Sequence, residues 1–453
     1  MYSCGPTVYN YVHLGNLRAY VFVDLLKRYL QYSGYKIKHV MNVTDVDDKT
    51  IRDSQKAGKT LKEFTQLYEK EFIKDLGLMN IQMPDVMPRA TDYISEMVKI
   101  IKKLEKKGLA YRADGSVYFK ISKSKKYGEL AGLEKQSLKE NAEGRLNAAD
   151  EYKKEDVNDF VLWKGWREED GNAYWDTEIG RGRPGWHIEC SAMSIKNLSE
   201  TFDIHCGGED LIFPHHTNEI AQSEGATGEK FVNYWLHNAH LLVNGQKMSK
   251  SLGNFYTLRD IMDKGYNPLL LRIILLKTHY RHVADFSFDN FTEAKSIAER
   301  FVNFLFSLDS IKEKGKNKQN VKRLISDCEK RFDKAMDDDL NVSEALAAVF
   351  DFMNEVNKSL NTLNVDQAKD VKDFILKIDG VFGFIENIYG DYLAKLKQKI
   401  KTTEIDRLLK EREEARNDRD FKKSDELRDE IQAIGFLIED AKSGTVIKLK
   451  DWQ

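Results

Sequence analysis

The sequence predicts an α/β protein in which a doubly wound parallel sheet, interrupted by an insertion, is followed by a helical half. Three observations carry that expectation. The chain opens on a strand, helix, strand pattern, a polar irregular stretch interrupts its first half, and all six prolines lie at or before position 268. Met1 to Cys4 reads as a strand. Leu17 to Leu30 follows with Val21, Phe22, Leu25, Leu26, Tyr29 and Leu30 on one stripe, the pattern of an amphipathic helix. A second β-like run, Tyr35 to Val43, ends at Thr44-Asp45, a pair suited to capping a following helix. That order is the parallel βαβ unit from which doubly wound sheets are built.

Tyr111 to Asp176 reads as the insertion between two halves of the sheet. After Pro268 the chain becomes rich in Leu, Lys, Glu and Asp, with runs such as Ala345-Leu346-Ala347-Ala348-Val349-Phe350. Proline removes a backbone donor and clashes with the preceding turn, so its absence there fits an all-helical half. Lys312 to Lys322, rich in lysine and holding a glycine, reads as an exposed loop between helices.

Composition sets the outer limits. With 453 residues, 41% of them apolar and 32% charged, the chain is expected to form two to four soluble domains. It contains no run of roughly 18 to 20 apolar residues fit to span a membrane. No charged-then-apolar leader opens it either, so a cytoplasmic setting is expected. The four cysteines, Cys4, Cys190, Cys206 and Cys328, are too scattered for a disulfide framework and suit ligand or buried roles instead. A net charge of −2 argues against wholesale coating of nucleic acid but leaves room for a local basic face.

Three constellations carry chemistry. His13-Leu14-Gly15-Asn16 lies between the first strand and the first helix, where a doubly wound fold binds nucleotides at a helix amino terminus. His13 and Asn16 offer side-chain donors there, and Gly15 allows close approach to the backbone. Lys247-Met248-Ser249-Lys250-Ser251 follows the tight-turn signal Asn244-Gly245 and suits a mobile cationic loop for a polyphosphate. The third spans Phe213-Pro214-His215-His216-Thr217-Asn218-Glu219, read as a helix start with Pro214 in its first turn. His215 and Glu219 are four apart, on one helical face, and can hold one metal ion. Cys190 and Cys4 complete a set of two thiolates, an imidazole and a carboxylate, which suits Zn²⁺. His216 is also within reach of Glu219 by spacing, and His205 and Cys206 are rival ligands.

Together the first two motifs resemble the paired signatures of class I aminoacyl-tRNA synthetases. Cys4-Gly5-Pro6-Thr7-Val8-Tyr9, Gly185-Trp186-His187-Ile188-Glu189-Cys190 and Gly207-Gly208-Glu209-Asp210 through Glu219 are similar to cysteinyl-tRNA synthetases. The resemblance implies a Rossmann-type catalytic domain that joins L-cysteine to ATP, taken with Mg²⁺, and passes it to tRNA(Cys). It implies catalytic roles for His13, Asn16, Lys247 and Lys250, with Gly15, Gly207 and Asp210 also at the nucleotide. It assigns Gly5, Thr44 and Trp186 to the amino-acid pocket. One zinc ion would be held by Cys4, Cys190, His215 and Glu219, and only the resemblance prefers His215 to His216. The expected domains are 1–110 with 177–255 (catalytic), 111–176 (connective insertion), 256–295 (stem contact), 296–395 (helical bundle) and 396–453 (anticodon binding). A monomer is expected.

Zinc has a physical rationale. Cysteine and serine differ by one atom, and a hydrogen-bonding pocket separates isosteres poorly. A metal that prefers sulfur and lowers the thiol pKa separates them well, without an editing domain. Two departures from the family pattern stand out: members ordinarily carry residues before the first strand, and Val446-Ile447-Lys448-Leu449 stands where a tryptophan is expected. Two rival readings are a cysteine ligase acting on an amino-sugar and a tRNA-binding paralogue without activity.

Overall fold

The computed structural model describes residues 1–133, 159–249, 252–312, 320–441 and 444–450. Lys250, much of the predicted insertion and most of the lysine-rich loop lie outside the described residues. The chain divides into two compact units, Met1–Leu258 with Tyr280–Phe286, and Arg259–His279 with Ser287–Gln453.

The first unit opens with β1 (Tyr2–Ser3), α1 (Leu14–Tyr32) and β2 (Val40–Met41). These form the predicted βαβ unit, with β1 and β2 parallel and Tyr2 paired with Val40. Both strands are shorter than the β-like runs that foretell them. α1 starts three residues earlier than its apolar stripe because His13 caps it: the His13 ring accepts from the backbone of Gly15 and Asn16, while the Asn16 side chain accepts from the His13 N–H. Arg18, nearly fully buried on this helix, donates to the carbonyls of His240, Tyr280 and His282 and ties α1 to the far end of the unit.

Helix α2 (Asp48–Lys56) is capped by Asp47, not by Thr44 or Asp45. Thr44 instead stays extended and exchanges backbone bonds with the Pro6 and Val8 segment. The Asp45 carboxylate accepts from the Thr91 backbone and hydroxyl, at 3.0 and 2.6 Å. The stretch Thr44-Asp45-Val46-Asp47 offers three side chains with capping chemistry, Thr44, Asp45 and Asp47, and burial of the first two against neighbouring segments selects the third. α3 (Leu61–Leu78) and α4 (Ile94–Lys106) follow.

The described part of the insertion, with the residues that flank it up to Pro184, forms a five-stranded antiparallel sheet rather than irregular chain: β3 (Ala110–Ala113), β4 (Ser116–Phe119), β5 (Phe160–Gly165), β6 (Trp175–Thr177) and β7 (Gly180–Pro184), ordered β3-β4-β5-β7-β6. Its strands are short and partly polar, which is why periodicity does not reveal them. β7 runs directly into α5 (Trp186–Asn197); β8 (Phe202–Gly208), α6 (Thr217–Thr227) and β9 (Val232–Asn238) complete the core. The parallel sheet is ordered β2-β1-β8-β9, so β1 is an interior strand. The predicted helix start at Phe213 is displaced. Phe213 is extended, its bond to Pro214 is cis, and one wide turn over Ile212–His216 precedes the regular helix at Thr217. β10 (Leu241–Val243) and β11 (Gln246–Lys247) form the predicted Asn-Gly hairpin, whose Asn244 and Gly245 both have positive φ. β12 (Ala284–Phe286) pairs parallel with β10.

The second unit is helical apart from one hairpin: α7 (Pro268–Lys277), α8 (Asn290–Asp309), α9 (Val321–Asp337), α10 (Val342–Asn357), α11 (Val365–Phe382), α12 (Ile385–Lys401), α13 (Ile405–Asn417), α14 (Phe421–Ala433), then β13 (Phe436–Ala441) and β14 (Gly444–Leu449). Its core holds the fully buried rings of Phe301, Phe332 and Phe382. The buried Asp379 carboxylate accepts from the backbone of Phe384, Ile385 and Glu386 and so fixes the entry to α12. Among the described residues no helix is long and apolar enough to cross a membrane.

At the hairpin, Arg412 donates to both Asp440 oxygens, at 2.9 and 2.8 Å, and Arg416 pairs with the same carboxylate. The Arg412 bonds, then the charge of both arginines, hold Asp440 well below the usual carboxylate range. A depressed folded-state pKa contributes stability above the ordinary value of 3.8, lost as pH falls below it. Backbone hydrogen exchange in β13 and β14 is therefore expected to accelerate relative to the rest of the chain below about pH 4. Asp440→Asn should exchange faster already at neutral pH and show no such acid-dependent step.

Candidate active site and metal centre

The carboxyl ends of β1, β2 and β8, the amino termini of α1, α5 and α6, and the β10–β11 hairpin supply the predicted residues that the structure describes. His13 accepts two backbone N–H groups at Nδ1, at 3.1 and 3.3 Å, so that nitrogen carries no proton and Nε2 carries it. Asn16 uses its Oδ1 on the His13 N–H, at 3.2 Å, leaving its amide to donate. A Cβ built on Gly15 would lie 2.8 Å from Met248 Cε and 2.9 Å from His13 Cε1. The two signature motifs therefore approach closely at Gly15, where a Cβ would require the Met248 or His13 side chain to shift. Lys247 is exposed at the end of the hairpin, and Lys250 lies outside the described residues. Gly207 is buried near the end of β8, and Asp210 is exposed just beyond it.

Trp186, 40% exposed, stacks on the His215 ring with centroids 4.2 Å apart. Thr44 is buried and donates to Glu189 Oε2 at 2.8 Å. Gly5 donates its N–H to Asn42 Oδ1, and a Cβ there would lie 1.7 Å from the Asn42 carbonyl oxygen. Backbone must move to admit a methyl group at that position. Gly5→Ala is expected to cost about 1–3 kcal/mol of stability and to raise the cysteine KM, checked by thermal melting alongside kinetics.

Cys4, Cys190, His215 and Glu219 come together although they are far apart in sequence: one donor atom from each lies within 4.8 Å of all the others. The same is true of Cys4, His205, His216 and Glu219, so the rival histidines are also at the site, while Cys206 belongs to neither set. Glu219 is fully buried; its Oε1 lies 3.0 Å from His215 Nε2 without a well-directed hydrogen bond, and its Oε2 lies 3.1 Å from His205 Nε2. Burial favours the neutral acid, but His205 and His215 outweigh it and hold Glu219 down to about 2. For His215, burial is likewise overcome by Glu219 and Cys190, which push it up to about 10. The bond between the two thiols, aided by His215, lowers Cys190 against burial, while the same bond and burial raise Cys4. A buried carboxylate with an under-bonded oxygen, two adjoining thiols and an imidazole fit one divalent cation of intermediate softness.

Several residues at the site carry no sequence signal of their own. Buried Glu189 has its carboxyl pushed up by burial, then by Cys190. His187 Nδ1 lies 2.9 Å from His215 Nδ1 and orients that ring. Asp48, at the start of α2, pairs with the buried Lys164 and Arg183 of β5 and β7 and ties the insertion to the Thr44 wall. Only position hints at them: His187 and Glu189 flank the ligand candidate Cys190, and Asp48 follows the acidic run after Thr44.

Comparison with known proteins fits this geometry. Residues 1–296 match the family model of the tRNA synthetases class I (C) catalytic domain, 331–386 the DALR domain, and 402–446 the cysteinyl-tRNA ligase anticodon binding domain. The chain is 46% identical to a cysteine--tRNA ligase of Brachyspira hyodysenteriae, covering 99% of this chain and 94% of that one. It is 47% identical to a cysteine--tRNA ligase of Leptospira interrogans, covering 98% and 93%. Among solved structures, a Mycobacterium tuberculosis methionyl-tRNA synthetase in complex with methionyl-adenylate superposes with a TM-score of 0.58 at 14% identity, over 84% of this chain and 89% of that one, a likeness of fold alone. With matching domains and nearly full-length relatives at this identity, the chain belongs to the cysteine--tRNA ligase family of class I aminoacyl-tRNA synthetases.

Proposed function

We infer that this chain activates L-cysteine with ATP to cysteinyl-adenylate and transfers the cysteinyl group to tRNA(Cys), selecting its substrate with one zinc ion. The observation that carries the reading is the donor set of Cys4, Cys190, His215 and Glu219, roofed by Trp186 on His215. In the alternative set His205 stacks on Trp235 and His216 is bonded to His237 at 2.8 Å. Zinc held by the first set would supply a sulfur-preferring Lewis acid that tells cysteine from serine.

The chain's own residues do the rest. Thr44 and Trp186 bound the amino acid, and Gly5 lets its backbone come close. His13, with its proton on Nε2, donates to phosphate oxygen beside the Asn16 amide, and the α1 amino terminus adds its dipole. Asp210, beyond Gly207, accepts from the ribose hydroxyls. As the cysteine carboxylate attacks the α-phosphorus and the bond to pyrophosphate breaks, Lys247 and Lys250 stabilise the charge on the departing phosphates, with the Mg²⁺ that accompanies ATP. The terminal ribose hydroxyl of tRNA then attacks the carbonyl and releases AMP. In this reading the segments 1–110 with 177–255, 111–176, 256–295, 296–395 and 396–453 act as catalytic core, connective insertion, stem contact, bundle and anticodon reader of a cytoplasmic monomer. The anticodon-domain match argues against a ligase for amino-sugars.

Cysteine-dependent exchange of pyrophosphate into ATP tests the reading, with serine and a metal chelator as controls and charging of tRNA(Cys) as the second readout. Exchange supported equally by serine, or unaffected when the metal is stripped, overturns it.

A further inference from the structure

Helices α5 and α6 carry two of the four proposed metal ligands, Cys190 and Glu219, with His215 two residues before α6, and the seam between them is polar where an apolar one would be expected. Ser191, Ser194, Gln222 and Ser223 are all buried to within 1%. Gln222 Nε2 donates to the His187 carbonyl and to Ser191 Oγ, the latter at 2.7 Å, and Ser223 Oγ donates to the same hydroxyl at 2.7 Å. Gln222 lies three residues after Glu219, on the same face of α6. Ser191 follows Cys190 directly, and the His187 ring meets His215 at 2.9 Å. The Gln222 Oε1 atom is buried with no hydrogen-bond partner among the described residues. Such an acceptor costs free energy, so the amide is held for what its N–H groups do.

We propose that Gln222 is a positioning residue for the metal centre, setting the register of α6 on α5 so that Glu219, Cys190 and His215 converge. Apolar contacts between helices are non-directional and allow small slides and rotations, whereas two hydrogen bonds from one planar amide fix both. A donor set must be held within about 0.5 Å of its working geometry, a tolerance that sliding helices exceed. Ser191 Oγ keeps Ser223 as a partner when Gln222 is changed, and the His187 carbonyl still lies within a helix, so the seam closes without the amide but loses its register.

The inference rests on the zinc reading, and the two are tested apart. In Gln222→Met, which keeps length and removes the donors, chelator competition on the full chain is expected to show metal affinity lowered roughly tenfold or more, the range seen when groups orienting a ligand are lost. The Co²⁺-substituted variant should show weakened tetrahedral d–d bands, and its cysteine KM should rise with the ATP KM unchanged. Ser223→Ala, which leaves the Gln222 bonds in place, should match the unaltered protein in all three. Unchanged metal affinity and Co²⁺ spectrum in Gln222→Met, or equal losses in Ser223→Ala, overturn the proposal. If Gln222→Met does not fold, Ser191→Ala decides: it should lower metal affinity in the same direction, and no change overturns the proposal. Failure of the unaltered protein to bind Zn²⁺ or Co²⁺ would instead sink the zinc reading itself.

Discussion

Cys190→Ser is expected to lower kcat/KM for cysteine by at least ~100-fold, about 2.7 kcal/mol of transition-state stabilisation, while ATP affinity persists. Cys190 is 1% exposed on α5, where its bond with Cys4 and the neighbouring His215 lower its thiol pKa against burial. Serine fits the same volume, so the packing of α5 on its neighbours is retained. Its hydroxyl does not ionise near neutral pH and is a poor partner for a metal that prefers sulfur. Losing a group that merely orients a ligand costs 10- to 100-fold, and losing the ligand itself should cost more. Steady-state exchange with cysteine as the varied substrate, metal content and equilibrium ATP binding together check the result. If ATP binding falls in step with cysteine use and the melting temperature drops, the residue supports the fold rather than the metal.

His13→Asn is expected to lower kcat by about 10²–10³ with little change in melting temperature. His13 does two things with two nitrogens. Its Nδ1 caps α1 by accepting from Gly15 and Asn16, and that duty places the proton on Nε2. Asparagine is among the best helix caps, so it retains the first duty and loses the second. His13→Ala loses both and should melt lower as well, by about 1 kcal/mol. The difference between the two variants separates the helix from the chemistry. If His13→Asn keeps full kcat, the ring is a cap and nothing more.

What the sequence reveals and hides follows from the range of the interactions involved. Helix α1 and the βαβ unit are legible because their apolar spacing is local, and the Asn244-Gly245 hairpin because its turn demands positive φ. His215 and Glu219 are legible as a pair because one helical turn joins them, even though the regular helix begins later than Pro214 suggests. That Cys4 and Cys190 meet is not legible from spacing, since it depends on β1 entering the sheet beside β8. The choice between His215 and His216 is equally hidden, because adjacent residues around an irregular turn can face either way, and both do reach donor sets. The cap of α2 is misread because Thr44, Asp45 and Asp47 all have capping chemistry and only tertiary burial tells them apart. Glu189 and Gln222 stay invisible because a buried polar residue looks like a surface one until the packing is known.

The place of β1 inside the sheet bears on how the chain is made. Tyr2 and Ser3 pair on one side with Val40 and Met41, and on the other with His205 and Cys206, roughly 200 residues away. At ~5–20 residues per second of synthesis, β1 waits ~10–40 seconds for its second neighbour. Through most of that interval Cys4 lacks Cys190, His215 and Glu219, while α1 and β2 can already form beside it. The donor set of Cys4, Cys190, His215 and Glu219 is thus among the later parts of its unit to be completed on the ribosome, after β8 has been made and Glu219 has followed it.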